Sequence, residues 1–223
     1  MIVGVPTLTR YDCLQRLLHS LDASTRPPDA VWIVDNGGGI QGADVAYSNR
    51  YPITIHCPGP VSSGLEPYSC ALGLAESWNW LIAHTLLLHP ADPILLVNDD
   101  IVFGPTALET IAAAEGAFVT PLPGQAFSCF RLSYACVLKV GLFDETISPG
   151  YAYFEDDDYA QRMKNAGIPI TPVAANVQHL HGGSSTLKAY TPEELEAHHQ
   201  KFRRAEANFV NKWGHLPHKE NLG

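Results

Sequence analysis

The sequence predicts an open α/β fold with a mostly parallel central sheet flanked by helices, and three observations carry that expectation. Short apolar runs recur at residues 2–5, 30–34 and 93–97, too short for helices and apolar enough for strands buried on both faces. Segments with helical spacing lie between them, so the chain alternates strand and helix from its start. Polar clusters stand where the apolar runs end, and open α/β sheets bind ligands beyond the carboxyl ends of their strands.

Residues 2–5 form the first strand, stopped near Pro6, and Leu14, Leu17, Leu18 and Leu21 then recur at helical spacing. Pro27-Pro28 ends that turn, residues 30–34 (AVWIV) give the second strand, and the loop Asp35-Asn36-Gly37-Gly38-Gly39 closes a βαβ unit. Residues 52–57 suggest a third strand, 58–64 a Gly/Pro/Ser loop, and Leu72, Ala75, Trp78, Leu81 and Ile82 a second helix. Residues 93–97 (PILLV) make a fourth strand that ends in Asn98-Asp99-Asp100. A short helix at 106–114, a strand at 117–120 and a strand at 132–137 facing the same cleft follow. A helix begins near Glu155 and runs to about Asn165, with Gly167 placed to stop it. Residues 171–180 read as a late strand, and 192–213 as a polar, amphipathic helix.

The chain has 223 residues, enough for one α/β domain over 1–223, with 190–223 as a C-terminal helical tail. With 46% hydrophobic and 17% charged residues the composition is globular. Fourteen basic against twenty-three acidic residues give a net charge of −9, which argues against a broad non-specific nucleic-acid surface. Five cysteines (Cys13, Cys57, Cys70, Cys129 and Cys136) in no CxxC spacing argue against a zinc finger or disulfide framework and for a reducing compartment. The start lacks the pattern of a signal peptide, and the apolar stretch 81–88, interrupted by His84 and Thr85, is too short to span a bilayer. A cytoplasmic location is therefore expected.

Thr7, Asp35-Asn36 and Asn98-Asp99-Asp100 follow three different strands, so one cleft lined by Thr7, Asp35 and Asp100 is expected. A carboxylate at a strand end suits a hard divalent cation, which takes one or two carboxylates plus substrate phosphates; the plain alternative is that Asp99 or Asp100 caps a turn. Glu155-Asp156-Asp157-Asp158 opens a helix, where acidic residues complement the dipole, and Asp158 is spaced for an i, i+4 pair with Arg162. Four adjacent carboxylates exceed what capping needs, and Tyr151, Tyr153 and Phe154 precede them. Apolar rings raise a carboxyl pKa, as a general base requires. His179 and His181, two apart in an expected strand before Gly182-Gly183-Ser184-Ser185, share a face and offer a metal ligand or phosphate contact; a hydrogen-bonded, partly buried pair is the alternative. The other histidines, His198-His199 included, read as surface residues.

Together these segments resemble a family-two glycosyltransferase with the GT-A fold, over nearly the whole chain. The resemblance runs through Val5-Pro6-Thr7, Val34-Asp35-Asn36-Gly37, residues 73–79 (GLAESWN), residues 96–100 (LVNDD) and residues 141–145 (GLFDE). It continues in residues 153–158 (YFEDDD) with Arg162 and Gly167, residues 179–184, and Lys212-Trp213-Gly214. It implies a divalent cation, Mn²⁺ or Mg²⁺, held by Asp100 with His179 or His181, His179 being favoured. It implies nucleotide-sugar contacts, to a UDP-sugar foremost, from Pro6, Thr7, Asp35, Asn36, Gly73, Asn79, Asn98 and Asp99. Asp156 would be the general base, with Glu155 beside it and Asp158 orienting acceptor or base. Asn98 departs from the pattern, since many members carry Asp there. The family also implies inversion at the anomeric carbon.

Two other classes compete. A sugar nucleotidyltransferase usually has a glycine-rich basic loop after the first strand, where this chain reads Pro6-Thr7-Leu8-Thr9-Arg10. A catalytically inactive nucleotide-sugar-binding protein would need no Asp156. The acceptor is open between a glycan, a lipid-linked intermediate and a modified nucleobase in DNA.

Overall fold

A computed structural model describes residues 1–42, 45, 47–58, 72–180 and 191–217. The chain alternates as expected: β1 (Ile2–Thr7), α1 (Tyr11–Asp22), β2 (Ala30–Asp35), β3 (Ile53–His56), α2 (Leu74–Leu88) and β4 (Ile94–Val97). Then come β5 (Ile101–Phe103), α3 (Ala107–Ala113), β6 (Phe118–Thr120), β7 (Cys129–Leu132), α4 (Tyr134–Val140) and α5 (Glu155–Asn165). The last elements are β8 (Ile170–Pro172), β9 (Val177–His179) and α6 (Pro192–Trp213).

The main sheet has seven strands in the order β3-β2-β1-β4-β7-β6-β8. The strands β3, β2, β1 and β4 run parallel, β7 is antiparallel to both its neighbours, and β6 and β8 are parallel. Every residue of β1 and β2 is buried, as parallel strands covered on both faces must be. The two-residue period of each strand sorts its side chains between two cores. Ile2, Trp32, Ile94 and Leu96 join Trp78, Leu81 and Ile82 of α2, while Val3, Val5, Ile33 and Leu95 join Leu14, Leu17 and Leu21 of α1 and Leu108 of α3. Each fully buried leucine contributes roughly 1.5–3 kcal/mol. Gly4 sets the height of α2 above the sheet: a Cβ there would lie 2.9 Å from Leu96 Cδ2 and 3.2 Å from Leu81 Cδ1.

Three expectations are corrected. Residues 132–137 do not form a strand facing the cleft. The strand is β7, which ends at Leu132, and Ser133 then accepts a hydrogen bond from Cys136 N at 3.2 Å to cap α4. The late strand expected over 171–180 is two strands in two sheets. Pro172 ends β8 beside β6, and the chain crosses to pair β9 antiparallel with β5, a strand with no counterpart in the sequence expectation. His198 is not a surface residue: it is 7% exposed and bonded to the Tyr151 hydroxyl.

A third apolar cluster joins Ile147 and Phe154 to Ala205 and Phe209 of α6. No helix among the described residues is long and apolar enough to cross a membrane. Cys13, Cys57, Cys129 and Cys136 are free thiols; Cys70 lies outside the described residues.

Candidate active site

The parallel register sets Thr7 beside Asp35 at the ends of β1 and β2, with the 98–100 turn following β4 on the other side of β1. The Thr7 hydroxyl donates to Asp99 Oδ2 at 2.7 Å, joining two of these strand ends. Burial pushes the Asp99 carboxyl up to about 7; the Thr7 hydrogen bond opposes this and the neighbouring Asp100 adds to it. The small β5–β9 ribbon does the next piece of positioning. Its register pairs Ile101 with His179, and Leu180 N donates to Asp100 O at 3.0 Å, so the residue before β5 and the last residue of β9 lie side by side.

As a result His179 Nε2 stands 2.9 Å from Asp100 Oδ1, with only 6% and 8% of the two side chains exposed. Nε2 nonetheless has no hydrogen-bond partner. His179 Nδ1 contacts the carboxamide oxygen of Gln125, which can only accept; an imidazole that carries its proton on Nδ1 keeps a lone pair on Nε2. A lone pair and a carboxylate oxygen at this separation match two neighbouring ligands of an octahedral cation, about 2.9–3.0 Å apart for bonds of about 2.1 Å. The donor set therefore fits a divalent cation. Among the described residues no third His, Cys, Asp or Glu joins the pair.

Opposite this pair lies the start of α5. Tyr153 and Phe154 have φ values of 97° and 67°, the left-handed region that costs on the order of 1 kcal/mol or more for a side-chain-bearing residue. Packing from α6 offsets that strain. Phe202 lies 5.1 Å from the rings of both Tyr153 and Phe154, and Phe209 lies 5.9 Å from Phe154. The turn delivers Glu155 and Asp156 to the cleft, at a helix N-terminus. Burial raises the pKa of both; at Glu155 the neighbouring Asp156 adds to the rise, and at Asp156 the Asp157 backbone N–H, 2.9 Å from Oδ1, works against it. Asp157 is also pushed up to about 7, by burial and by Asp156.

The cleft between these walls, about 270 Å³, is lined among others by Trp78, Asn98, Gln125, Glu155, Asp156 and His179. Five buried side-chain atoms have no hydrogen-bond partner among the described residues; Trp78 Nε1, Glu155 Oε2 and His179 Nε2 belong to residues lining the cleft, while Arg131 Nε and Arg162 Nη2 do not. Unsatisfied groups cost about 1–3 kcal/mol each, and three in one cleft leave polar atoms open to a ligand or water.

The expected site residues are thus brought together unevenly. Asn98, Glu155, Asp156 and His179 line the cleft, and Asp100 touches it through His179. Thr7 and Asp35, 3% and 1% exposed, are not among the residues lining it; Thr7 reaches the 98–100 turn through Asp99. Asp35 already accepts from Tyr11 Oη at 2.8 Å, Gly38 N at 3.0 Å and Ile40 N at 2.9 Å. Pro6 is buried within β1, beside Val34. Asn36 ties the β2 end to α2, donating to Ser77 Oγ at 2.9 Å and accepting from Leu72 N at 3.1 Å. Gly73 meets the 150–151 turn so closely that a Cβ would lie 2.7 Å from Tyr151 N and O. Asn79 is spent on the chain itself, donating to Phe143 O and Glu145 Oε1 and accepting from Phe143 N at 2.8–2.9 Å.

Asp158 faces away from Asp156, two residues and about 200° round the helix. It is fully buried and bonded to Arg162 Nε at 2.8 Å, Trp213 Nε1 at 2.9 Å and Lys212 Nζ at 2.6 Å, so it fastens α5 to α6. His181 lies outside the described residues. Gln125, by contrast, had no place in the sequence reading; its one signal was the Pro123-Gly124 turn after a strand.

No family model matches the chain, and no curated protein matches it. Solved structures do. The mannosyltransferase PcManGT from Pyrobaculum calidifontis, in complex with GDP-Man and Mn²⁺, is 14% identical with a TM-score of 0.52, over 97% of this chain and 76% of that one. TarS 1–349 from S. aureus, in complex with UDP-GlcNAc, is 15% identical with a TM-score of 0.55, over 94% of this chain and 66% of that one. Glucosyl-3-phosphoglycerate synthase from Mycobacterium tuberculosis, with Mn²⁺, UDP and glucosyl-3-phosphoglycerate, is 12% identical with a TM-score of 0.55, over 97% and 80%. The fold is that of the GT-A glycosyltransferases.

Proposed function

We propose that this chain is a metal-dependent, inverting glycosyltransferase that moves one sugar from a nucleotide-diphosphate sugar to an acceptor hydroxyl. The observation that carries the reading is the pairing, across one cleft of a GT-A fold, of the Asp100–His179 couple with the Glu155–Asp156 helix start. Support for the donor class comes from the nucleotide or nucleotide sugar in the three solved structures; two hold a uridine nucleotide, which makes a UDP-sugar the first choice.

Asp100 and His179 would hold the cation, which supplies Lewis-acid stabilisation of the charge that grows on the leaving diphosphate. Mn²⁺ suits a mixed carboxylate and imidazole set, and two of the three structures contain it. Asp156, with its carboxyl pKa raised by burial, accepts the proton of the attacking acceptor hydroxyl. Displacement with the base on the face opposite the leaving group inverts the anomeric carbon. Thr7 and Asp35 shape the base of the donor site from behind, through Asp99 and the 36–40 turn. The acceptor is a glycan, a lipid-linked intermediate or a modified nucleobase in DNA.

A nucleotide-release assay with a panel of UDP-, GDP- and dTDP-sugars, with Mn²⁺ and with EDTA, tests the reading. Donor-specific release of nucleoside diphosphate that EDTA abolishes is expected. Nucleotide binding with no turnover on any donor and acceptor would identify an inactive binding protein, and release of pyrophosphate from a nucleoside triphosphate would identify a nucleotidyltransferase.

A further inference from the structure

We propose that Gln125 is a positioning residue that fixes the tautomer of His179, and so decides whether Asp100 and His179 form a cation site or a closed His–Asp hydrogen bond. This rests on the metal reading of that pair. Two acceptors compete for the single proton of a neutral His179 imidazole: Asp100 Oδ1, 2.9 Å from Nε2, and Gln125 Oε1, bonded to Nδ1. If the carboxylate held the proton, Nε2–H would bond to Oδ1 and both ligand atoms would be consumed. The Nε2 contact has no hydrogen-bond alignment and the Nδ1 contact does, so the proton lies on the Gln125 side.

The backbone explains how an exposed glutamine is held to this task. Gln125 breaks the 3₁₀ segment Pro123–Ser128 with φ −146° and ψ 51°. Its N–H donates to Leu122 O at 2.8 Å, and the two residues that follow, Ala126 and Phe127, are only 3% and 5% exposed. Phe127 is seated against Phe118 and Phe130, with ring centroids 5.0 and 5.2 Å away. The kink is therefore anchored on both sides and turns the amide toward β9. A partner that accepts from the far nitrogen of a ligating histidine fixes the ring and raises its basicity, and losing it typically weakens metal binding about 10–100-fold.

The test measures proton position and metal affinity separately. Long-range ¹H–¹⁵N spectra of the metal-free protein at pH 8 are expected to show His179 protonated at Nδ1; an Nε2–H signal overturns the proposal. Mn²⁺ titrations followed by EPR, without donor, should show Gln125→Leu binding about 10–100-fold more weakly than wild type. Gln125→Glu, which keeps an acceptor, should stay within a few-fold of wild type. Unchanged Mn²⁺ affinity in Gln125→Leu, in a protein whose affinity does fall in His179→Ala, also overturns it. If His179→Ala leaves Mn²⁺ binding unchanged, the metal reading is what has failed, and the nitrogen spectra still decide the role of Gln125.

Discussion

His179 Nε2 and Asp100 Oδ1 lie 2.9 Å apart, buried, without a hydrogen bond between them. Two electron-rich atoms so placed repel each other unless a proton or a cation lies between. Removing either should abolish the advantage of the pair: Asp100→Ala and His179→Ala are each expected to weaken Mn²⁺ binding by tenfold or more while the fold stays intact. Isothermal titration with Mn²⁺ measures this, and an Asp100→Ala protein that binds the ion as well as wild type would falsify the ligand assignment.

Asp156→Asn is expected to keep donor affinity and to lower the transfer rate about 10²–10⁴-fold, the usual contribution of a positioned base. The base must be ionised, so the rate falls as pH drops through its pKa. Burial raises that pKa above the usual aspartate value, which moves the acidic limb of kcat upward. A pH–rate profile with its acidic limb near 4, or a variant that retains full activity, would remove Asp156 from this role.

The fold was legible where one physical rule acts alone. Uniformly apolar runs gave β1, β2 and β4, and the Leu14–Leu21 spacing gave α1. The positions of Asp156, at the start of α5, and of Asp100, just after β4, were legible because carboxylates at a helix start and a strand end are visible as sequence. The segment after Leu132 was misread because Ser133, a good cap, stands inside an apolar stretch that suits either period. The β5–β9 ribbon was invisible because each strand has three residues and each is defined only by its partner. Gln125 was missed for a related reason: its contact with His179 comes from a backbone kink and joins residues 54 apart in the chain. Asp158 is a mixed case. Its spacing predicted the pair with Arg162 that forms, while its bonds to Lys212 and Trp213 depend on how α6 packs and could not be read from sequence.

Gly73→Ala places a methyl group 2.7 Å from both Tyr151 N and O, in backbone that cannot step aside cheaply. The hydrogen bond from Leu74 N to Tyr151 O, 2.6 Å long, must stretch as α2 and the 150–151 turn part. Overpacking of this kind costs about 1–3 kcal/mol. Because Tyr151 precedes Glu155 by only four residues, the displacement reaches the start of α5, where the proposed base lies, as well. Lower thermal stability together with a lower kcat is expected; a variant with wild-type melting and turnover would show that this contact yields freely.

Lys212 ties α6 to two carboxylates, Asp144 Oδ2 and Asp158 Oδ1, each at 2.6 Å. Burial raises the Asp144 pKa, but bonds from Lys212 and Thr146 outweigh it and bring it down to about 2, below the usual carboxylate value. A carboxylate whose folded pKa is depressed adds stability that is complete above the unfolded value. That stability is lost as pH falls from about 4 toward about 2. Lys212→Met removes the cation and leaves Asp158 with Arg162 and Trp213 only. The expected loss near neutral pH is about 2 kcal/mol, typical of a hydrogen bond to a charged group, or roughly 4–8 °C in Tm for a chain of this size. The difference between wild type and variant should narrow on acidification, since protonating Asp144 removes one of the two bonds in the wild type. Melting curves taken from pH 7 down to pH 3 measure both effects. A gap that stays constant across that range would mean that Lys212 stabilises α6 through its aliphatic stem rather than through Asp144.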